Sequence, residues 1–465
     1  MWMDEVFERF CERSPFSVMA RATLERLFGD EALDRLFEEH ARTQYCRRLT
    51  FSTVAALLTQ VVLRARPSLR NAYREAASRP AATLKALYEK AAGVEPAVCC
   101  ALVERTADGV QQVLAHLPGS CRPDPVPGLR LRTLDGNHLA GTQKRLKVLR
   151  GEGAAALPGM SVVLRDDRTG LLPHLALRED AYTSERALAD QILGWVEPDD
   201  LVVADRQYCF FTLLGRLIER EAYFVVRHHP QVVLTELGPL QHVGTSATGE
   251  VYEQPVEAGP DGGRVRLRLV VVRLFEPTQQ GEAEVRLLSN VPAGRAGALL
   301  LAEVYLRRWR IEHSFQELTD QLRCEVDTLG YPKAALLGFS LAVCAYNLLA
   351  VLKGALAAVH GQAKVEAELS AYELAQDISQ DGPGLDIALP QPFWARFAQM
   401  GDAAFAGWLV GMARRLRWDR YRKARRSPPR KKPPGEQAPP RRKGGRRRPH
   451  VSTARLLLDR DKKSQ

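Results

Sequence analysis

Tyr305, Arg308 and Glu312 lie in one short stretch of sequence whose apolar spacing predicts a helix. At about 100° per residue, Arg308 and Glu312 are one turn apart, and Tyr305 returns to nearly the same angle as Glu312 after two turns. An aromatic ring, a cation and a carboxylate on one stripe suit chemistry that handles both a phosphate and a metal ion. Trp309 faces away from this stripe, and we expect its side chain in the core.

Two aspartates far upstream, Asp135 and Asp205, each follow a strand-like apolar run. Carboxylates at the ends of neighbouring strands, joined by one from a helix, can hold hard divalent ions such as Mg²⁺. Two such ions about 3.5–4 Å apart clamp the attacking and leaving oxygens of a phosphodiester. Spacing alone also allows these aspartates to be turn formers. Turn formation is the interpretation for four other aspartates: Asp166, Asp167, Asp199 and Asp200.

The elements that would position these residues change type along the chain. Up to about residue 120, apolar residues recur every three or four positions, which predicts helices. A proline-rich linker follows at 123–128. Strand-like runs then lie at 129–134, 160–164, 171–177, 201–204 and 222–226, with helical segments near 184–195 and 212–220. This order predicts an α/β sheet of the ribonuclease-H type.

Three parts of the chain follow from these patterns. We predict a helical N-terminal domain at 1–122 and an α/β domain at 128–415, with a β-strand insertion at about 228–292. A basic tail, predicted to be disordered, occupies 422–465. The arginines scattered among the N-terminal helices fit a solvated bundle as well as a DNA-contacting one, and composition leaves both open.

Charge is concentrated near the end of the chain. The net charge is +11, and thirteen Lys and Arg between Arg422 and Arg448 face a single acid, Glu436. That segment alone carries +12, which leaves about −1 for the rest of the chain. Its cations have no aromatic residues between them, which favours attraction to phosphates over reading of bases.

Several classes of protein are disfavoured by the sequence. The eight cysteines form no Cys-x-x-Cys pair, which argues against a zinc ribbon or a thioredoxin-like site. The acidic start is wrong for a secretory signal, so we expect reduced thiols in a cytoplasmic protein. The apolar run at 334–352 is interrupted by Ser340 and Asn347, and we predict a buried core helix rather than a membrane span.

Three ordered sequence blocks carry a family resemblance. They are Thr133-Leu-Asp135-Gly-Asn137, Val202-Val-Ala-Asp205-Arg-Gln-Tyr208 and Tyr305-Leu-Arg-Arg308-Trp-Arg-Ile-Glu312. The chain thereby resembles, over roughly residues 80 to 350, the DDE insertion-sequence transposases with a Tyr-Arg-Glu-Lys signature. His450-Val-Ser-Thr-Ala-Arg-Leu-Leu also resembles that group.

This resemblance implies a ribonuclease-H-like catalytic domain at 128–415, a helical DNA-binding domain at 1–122 and a DNA-associated protein. It also implies DNA strand cleavage followed by strand transfer from the freed 3′-hydroxyl. It implies that Asp135, Asp205 and Glu312 hold two Mg²⁺ ions, with Mn²⁺ as a substitute. Tyr305 and Arg308 match the signature positions that contact transposon-end DNA. The implied partners are double-stranded DNA, as terminal inverted repeats and as target, and a second copy in a synaptic homodimer, with no membrane.

One position departs from the signature. Thr319 stands where the signature has lysine, seven residues after Glu312. Arg323 lies at almost the same helical angle as Glu312, and we hypothesise that it supplies the missing cation to DNA. The departure keeps two alternatives open: a domesticated or decayed copy that binds DNA without catalysis, and a nuclease that cuts without joining. Arg206 either steers a phosphate or pairs with a nearby acid.

Overall fold

The N-terminal part of the chain is built from helices. The computed structural model describes residues 2–44, 48–76, 82–142, 146–150, 155–260, 263–278, 281–423 and 450–464. Its first helices are α1 (Trp2–Arg13), α2 (Pro15–Leu27), α3 (Asp30–His40), α4 (Phe51–Val62), α5 (Leu69–Arg74), α6 (Leu84–Gly93) and α7 (Pro96–Leu114). Thr50, Ser68 and Thr83 cap α4, α5 and α6 by accepting a hydrogen bond from the backbone three residues on.

A mixed α/β region follows the linker. Its elements are β1 (Arg130–His138), β2 (Ala155–Leu157), β3 (Met160–Asp166), β4 (His174–Arg178), α8 (Ala189–Leu193), β5 (Asp200–Ala204), α9 (Phe211–Glu219) and β6 (Tyr223–Arg227). Short 3₁₀ turns lie at Lys147–Leu149, Glu185–Leu188 and Arg206–Tyr208. These strands and helices lie close to the predicted segments.

The predicted insertion contains further strands. They are β7 (Leu234–Glu236), β8 (Gln241–Thr245), β9 (Gly249–Ala258), β10 (Val265–Leu274) and β11 (Glu284–Ser289). Among the described residues the sheet has the order β4-β3-β1-β5-β6-β11-β10-β9-β7, with β8 paired to β9. β3 is antiparallel to β1 and β4, whereas β1, β5 and β6 run parallel. The insertion strands therefore extend the same sheet beyond β6.

Helices return after the sheet. They are α10 (Ala298–Leu306), α11 (Trp309–Asp320), α12 (Pro332–His360), α13 (Gln362–Glu368), α14 (Ala371–Ala388), α15 (Gln391–Ala398) and α16 (Asp402–Arg415), then a 3₁₀ turn at Trp418–Tyr421. The stretch that carries Tyr305 and Glu312, predicted as one helix, is thus divided between two helices, with Arg307 and Arg308 in the turn between them.

The end of the chain packs back on the body. β12 (His450–Ser452) pairs in parallel with β2, and α17 (Thr453–Ser464) follows it. The Arg455 guanidinium lies 2.8 Å from the Asp180 carboxylate. At the other end of the predicted basic tail, the Lys423 backbone N–H donates to the Glu368 carbonyl at 2.7 Å. Most of the predicted tail, 424–449, lies outside the described residues.

The hydrophobic core has three clusters. Alternate residues of the strands face opposite sides of the sheet, as pleating requires. One cluster packs the sheet against α8 and α9, and another packs the opposite face against α10. The third and largest joins the N-terminal helices to α12, α14, α15 and α16.

Helix α12 runs through that largest cluster. It contacts α2, α4, α6, α7 and α16. It is the one helix in the described residues that is long and apolar enough to cross a membrane, and 94% of its most apolar 18-residue stretch is buried inside the protein. A core helix has this character, as predicted for the apolar run at 334–352.

Candidate active site

The three parallel strands bring functional residues to one edge of the sheet. Their register pairs position 134 of β1 with 204 of β5, and 204 with 226 of β6. The next residues, Asp135, Asp205 and Arg227, therefore lie in one row across the carboxyl ends of these strands. β5 ends at Ala204, whereas β1 continues to His138, so Asp135 lies inside its strand rather than after it.

Arg308 joins two of the predicted carboxylates. Its Nη1 lies 3.3 Å from Asp135 Oδ2, and its Nη2 lies 2.8 Å from Glu312 Oε1. Burial raises the pKa of Asp135 to about 7, and the nearby Glu312 and Asp205 add to the rise, while Arg308 opposes it. The structure thus brings Asp135, Asp205, Glu312 and Arg308 together.

The break between α10 and α11 sets the orientation of Arg308. Its guanidinium carbon lies 5.9 Å from the ring centre of Tyr305 and 5.5 Å from that of Trp309. Tyr305 is buried, and burial raises its pKa to about 12. Trp309 is 54% exposed, so the expectation of a core position was wrong. The turn rotates Trp309 away from the packed surface.

Helix α11 is anchored to the sheet through a buried aspartate. Asp167 follows β3 and is 1% exposed. Arg165 Nη1 lies 2.7 Å from its carboxylate, and Arg310 Nη1 lies 2.8 and 2.9 Å from its two oxygens. Burial raises the pKa of Asp167, but the two guanidinium groups outweigh burial and hold it below its usual value. Asp167 begins the turn after β3, as predicted, and is in addition a structural ion partner.

A fourth carboxylate lies beside the predicted three. Glu185 begins the 3₁₀ turn before α8, and a Cβ placed on Gly136 would meet its Oε1 at 2.4 Å. Burial raises the pKa of Glu185, and the neighbouring Asp205 adds to the rise. Among the described residues, Glu185 Oε2 and Asp205 Oδ1 are buried without a hydrogen-bond partner. The Tyr208 hydroxyl lies beside the Glu185 carboxylate and opposes the rise in its pKa, whereas Asp205 Oδ1 lacks a donor or cation.

Buried carboxylate oxygens without a hydrogen-bond partner bear on whether the site suits a metal ion. In the described ranges, no three Asp, Glu, His or Cys side chains converge closely enough to enclose an ion as they stand. The Arg308 guanidinium instead bonds to Asp135 and Glu312. A cluster of carboxylates with one organic cation and unpaired oxygens has the donor chemistry that Mg²⁺ prefers. The donor chemistry of these side chains therefore suits a divalent metal ion, although their arrangement in the described residues does not enclose one.

Thr319 and Arg323 lie at the far end of α11. Arg64 Nη2 approaches the Thr319 carbonyl at 3.0 Å. Arg323 lies beyond the last residue of the helix, so helical periodicity from Glu312 does not extend to it. Its guanidinium contacts the Pro67 carbonyl at 2.5 Å. The structure therefore places Arg323 against the loop after α4, and its role towards DNA stays a prediction.

Arg206, the residue after Asp205, pairs with an acid from the insertion. Arg206 Nη2 lies 2.8 Å from Glu282 Oε1, and Arg227 Nη2 lies 2.5 Å from Glu282 Oε2. Of the two roles left open for Arg206, pairing with a nearby acid is the one seen.

Comparison with known proteins gives a family match for part of the chain. Residues 135–348 match the family model described as the transposase DDE domain. The chain therefore carries a transposase DDE domain over these residues. The matched range begins at Asp135 and includes Asp205 and Glu312. No curated protein matches the chain.

Among solved structures, the chain is distantly similar to one described as the cryo-EM structure of the piggyBac transposase synaptic complex with hairpin DNA. The sequence identity is 10% and the TM-score is 0.38, over 86% of this chain and 83% of that chain.

Two charged residues of this site were missed from the sequence. Glu185 follows Ser184, which caps the turn, so it resembles an ordinary acid at the start of a helix. Arg227 ends an apolar strand, and only the register with β5 places it beside Asp205. The sequence around each of these two residues does not distinguish it from an ordinary charged residue on the surface.

Proposed function

We propose that this chain is a transposase that cuts phosphodiesters at the ends of a transposable element and joins the freed 3′-hydroxyls to target DNA. The observation that carries the proposal is the meeting of Asp135, Asp205 and Glu312 at one sheet edge, around Arg308. Such a cluster of carboxylates, unpaired oxygens and one arginine suits the handling of metal ions and phosphates together.

The proposal includes a ribonuclease-H-like core. Its support is the strand order β4-β3-β1-β5-β6, in which β3 and β4 are antiparallel additions to β1, and β5 and β6 run parallel to it. We also propose membership in the insertion-sequence group with the Tyr-Arg-Glu-Lys signature. Tyr305, Arg308 and Glu312 support this, and Thr319 is the departure.

Asp135, Asp205 and Glu312 would hold two Mg²⁺ ions, or Mn²⁺ as a substitute. When bound, the ions would supply an activated water and charge stabilisation on the attacking and leaving oxygens. Asp135 carries a proton for part of the time near neutral pH, because burial raises its pKa to about 7. Loss of that proton prepares its oxygens as ligands.

Arg308 and Tyr305 act on the DNA strand in this proposal. Arg308 is 12% exposed and already bonds two anionic groups, so it is preorganised for the charge of a phosphate. Tyr305 keeps its hydroxyl proton, because its pKa is raised to about 12, and can donate a hydrogen bond. Both would position the strand to be cut. Arg323 stays a proposed DNA contact outside this cluster.

The partners in this proposal are double-stranded DNA and a second copy of the chain. DNA enters both as terminal inverted repeats and as target. Joining two ends to one target requires two active sites, so we propose a homodimer in a synaptic complex.

The deciding experiment uses the full chain, Mg²⁺ and a DNA fragment carrying the inverted repeats that flank the coding region. The wild type should cut at the repeat ends and join them to a second DNA. Asp205→Asn and Glu312→Gln should lower both reactions to the level without metal while still binding the repeats. Asp190→Asn is the matched control, because that exposed aspartate on α8 lies outside the cluster.

Other outcomes would identify the competing functions. Cutting without joining would identify a nuclease. Specific binding with no cutting would identify a non-enzymatic DNA-binding copy, the alternative that the departure at Thr319 keeps open. Activity of Asp205→Asn equal to that of Asp190→Asn would remove Asp205 from the catalytic set.

A further inference from the structure

Two arginines beside the carboxylate cluster hold one glutamate between them. Arg206 Nη2 lies 2.8 Å from one Glu282 oxygen, and Arg227 Nη2 lies 2.5 Å from the other. The hydrogen bond from Arg227, together with Arg206, holds the pKa of Glu282 below its usual value despite some burial. The three groups form an anion site in which a carboxylate is the bound anion.

Both arginines, Arg206 and Arg227, lie directly beside Asp205 of the carboxylate cluster. Arg206 directly follows Asp205, and the register of β5 with β6 places Arg227 next to Asp205. The Arg227 backbone also pairs with Leu287 of β11, so β6 is held on both sides. Tyr305 is within electrostatic range of Arg227. The anion site therefore adjoins the cluster proposed to act on DNA.

Glu282 reaches this site from the connection between β10 and β11. The Thr278 backbone N–H donates to the Glu282 carbonyl at 2.9 Å, and the Glu282 N–H donates to Thr278 Oγ1 at 3.2 Å. These bonds close a local turn and aim the carboxylate at the two arginines. The Glu282 side chain is 29% exposed, so solvent and solutes reach it.

The geometry of the pair also suits a phosphate. Guanidinium groups bind phosphates and carboxylates with the same planar fork of N–H donors. A phosphodiester offers two unesterified oxygens, as a carboxylate offers two, so it can bridge the same pair of arginines. The side chains of Arg206 and Arg227 are 35% and 18% exposed, which leaves them open to a ligand from solution.

We propose that Arg206 and Arg227 form a binding site for a DNA backbone phosphate, and that Glu282 occupies this site in the DNA-free protein. The proposal rests on the proposed function, because it concerns a phosphate of the DNA on which the active site acts. DNA must then compete with an internal carboxylate for the arginine pair.

The test measures binding rather than catalysis. The full chain is titrated with a short duplex of arbitrary sequence in EDTA, at several salt concentrations. Glu282→Gln should bind several-fold more tightly than wild type, because the competing charge is gone. Arg206→Gln and Arg227→Gln should bind more weakly, and the slope of log affinity against log salt should fall by about 1 in each.

Matched variants separate the site from overall charge. Glu284→Gln makes the same charge change two residues away on β11, where Glu284 lies 3.8 Å from Arg286. Arg266→Gln removes an 85% exposed arginine from β10. Both should stay close to wild type. The double variant Glu282→Gln/Arg227→Gln should lose the gain in affinity.

The proposal is overturned if Glu282→Gln binds DNA no more tightly than Glu284→Gln. It is equally overturned if Arg206→Gln and Arg227→Gln keep the affinity and salt slope of Arg266→Gln, and the cluster then only ties the insertion to the sheet. Thermal melting of each variant identifies any loss of folding. A chain that passes this test but does not cut repeat DNA refutes the proposed function and leaves the phosphate site standing.

Discussion

Arg308 bonds two carboxylates that a metal ion would also bind. In the metal-free protein its positive charge compensates Asp135 and Glu312, which would otherwise repel each other. Binding of metal ions would supply the same compensation and release Arg308 to the DNA strand. Arg308 therefore links the stability of the carboxylate cluster to the binding of metal ions.

We predict that Arg308→Ala lowers the free energy of unfolding in EDTA by about 3 kcal/mol, because it leaves buried carboxylates without a counter-charge. Added Mg²⁺ or Mn²⁺ should raise the melting temperature of this variant more than that of wild type. Arg216→Ala, which breaks an exposed ion pair with Asp190, is the control and should respond like wild type. Equal metal shifts in Arg308→Ala and wild type would contradict this account.

The carboxylate of Glu185 occupies the space that a side chain at position 136 would need. A Cβ at this position would lie 2.4 Å from Glu185 Oε1, so the glutamate would have to move. We predict that Gly136→Ala destabilises the protein by about 1–3 kcal/mol and weakens binding of Mn²⁺ measured by paramagnetic resonance. Gly407→Ala on α16 meets nothing within 4 Å and should instead keep or raise the melting temperature.

The residues of the site differ in how far the sequence predicts them. Asp135 and Asp205 could be proposed because each follows an apolar run that predicts a strand. Arg227 could not, because its relation to Asp205 exists only through the pairing of β5 with β6. Glu185 was equally hidden, since an acid at the start of a helical segment usually needs no other role. Pairing across strands carries information that spacing along the chain does not contain.

At the scale of elements, the attachment of α11 to β3 decides where Glu312 lies. Arg310 projects from the first turn of α11 onto buried Asp167, which follows β3. This ion pair fixes the start of the helix against the sheet, two residues before Glu312. The carboxylate geometry of the site therefore depends on a contact that takes no part in the proposed chemistry.

We predict that Asp167→Asn costs about 3 kcal/mol of stability, because Arg165 and Arg310 lose their buried partner. Since the pKa of Asp167 is lowered by folding, its carboxylate stabilises the protein above about pH 4, the usual value in an unfolded chain. That contribution to stability is lost as the pH falls through the pKa of Asp167 in the folded protein. Melting curves from pH 7 to pH 3 should therefore show a smaller loss for Asp167→Asn than for wild type.

Elements were predicted where one pattern ran without interruption. The parallel strands β5 and β6 are short apolar runs between turns, and they lie within a residue or two of their expected bounds. The break between α10 and α11 was not foreseen, because Leu306 to Trp309 contains no glycine or proline. Tertiary contacts of Arg307 and Arg310 with Asp167 accompany that turn, and local propensity does not report them.

At the scale of the whole molecule, the N-terminal and C-terminal helices share one core. Helix α12 is covered on one side by α4, α6 and α7, and it also contacts α16 near the other end of the chain. Removal of the N-terminal helices would expose much of the long apolar helix α12.

We predict that a chain of residues 123–465 aggregates or melts without a cooperative transition, because α12 loses its cover. Coexpression with residues 1–122 should restore a soluble complex, and gel filtration with circular dichroism would measure both. A fragment 123–465 that melts cooperatively and stays monodisperse would show that the predicted N-terminal domain folds apart from the rest.

The basic segment is attached to the body at both of its ends. The backbone of Lys423 bonds to Glu368, and β12 pairs with β2 from His450 onwards. The 26 residues between these anchors can extend to about 90 Å in total, so none lies further than about 45 Å from the nearer anchor. In the proposed complex with DNA, their cations would act at a local concentration that is set by the length of this segment rather than by the amount of protein in solution.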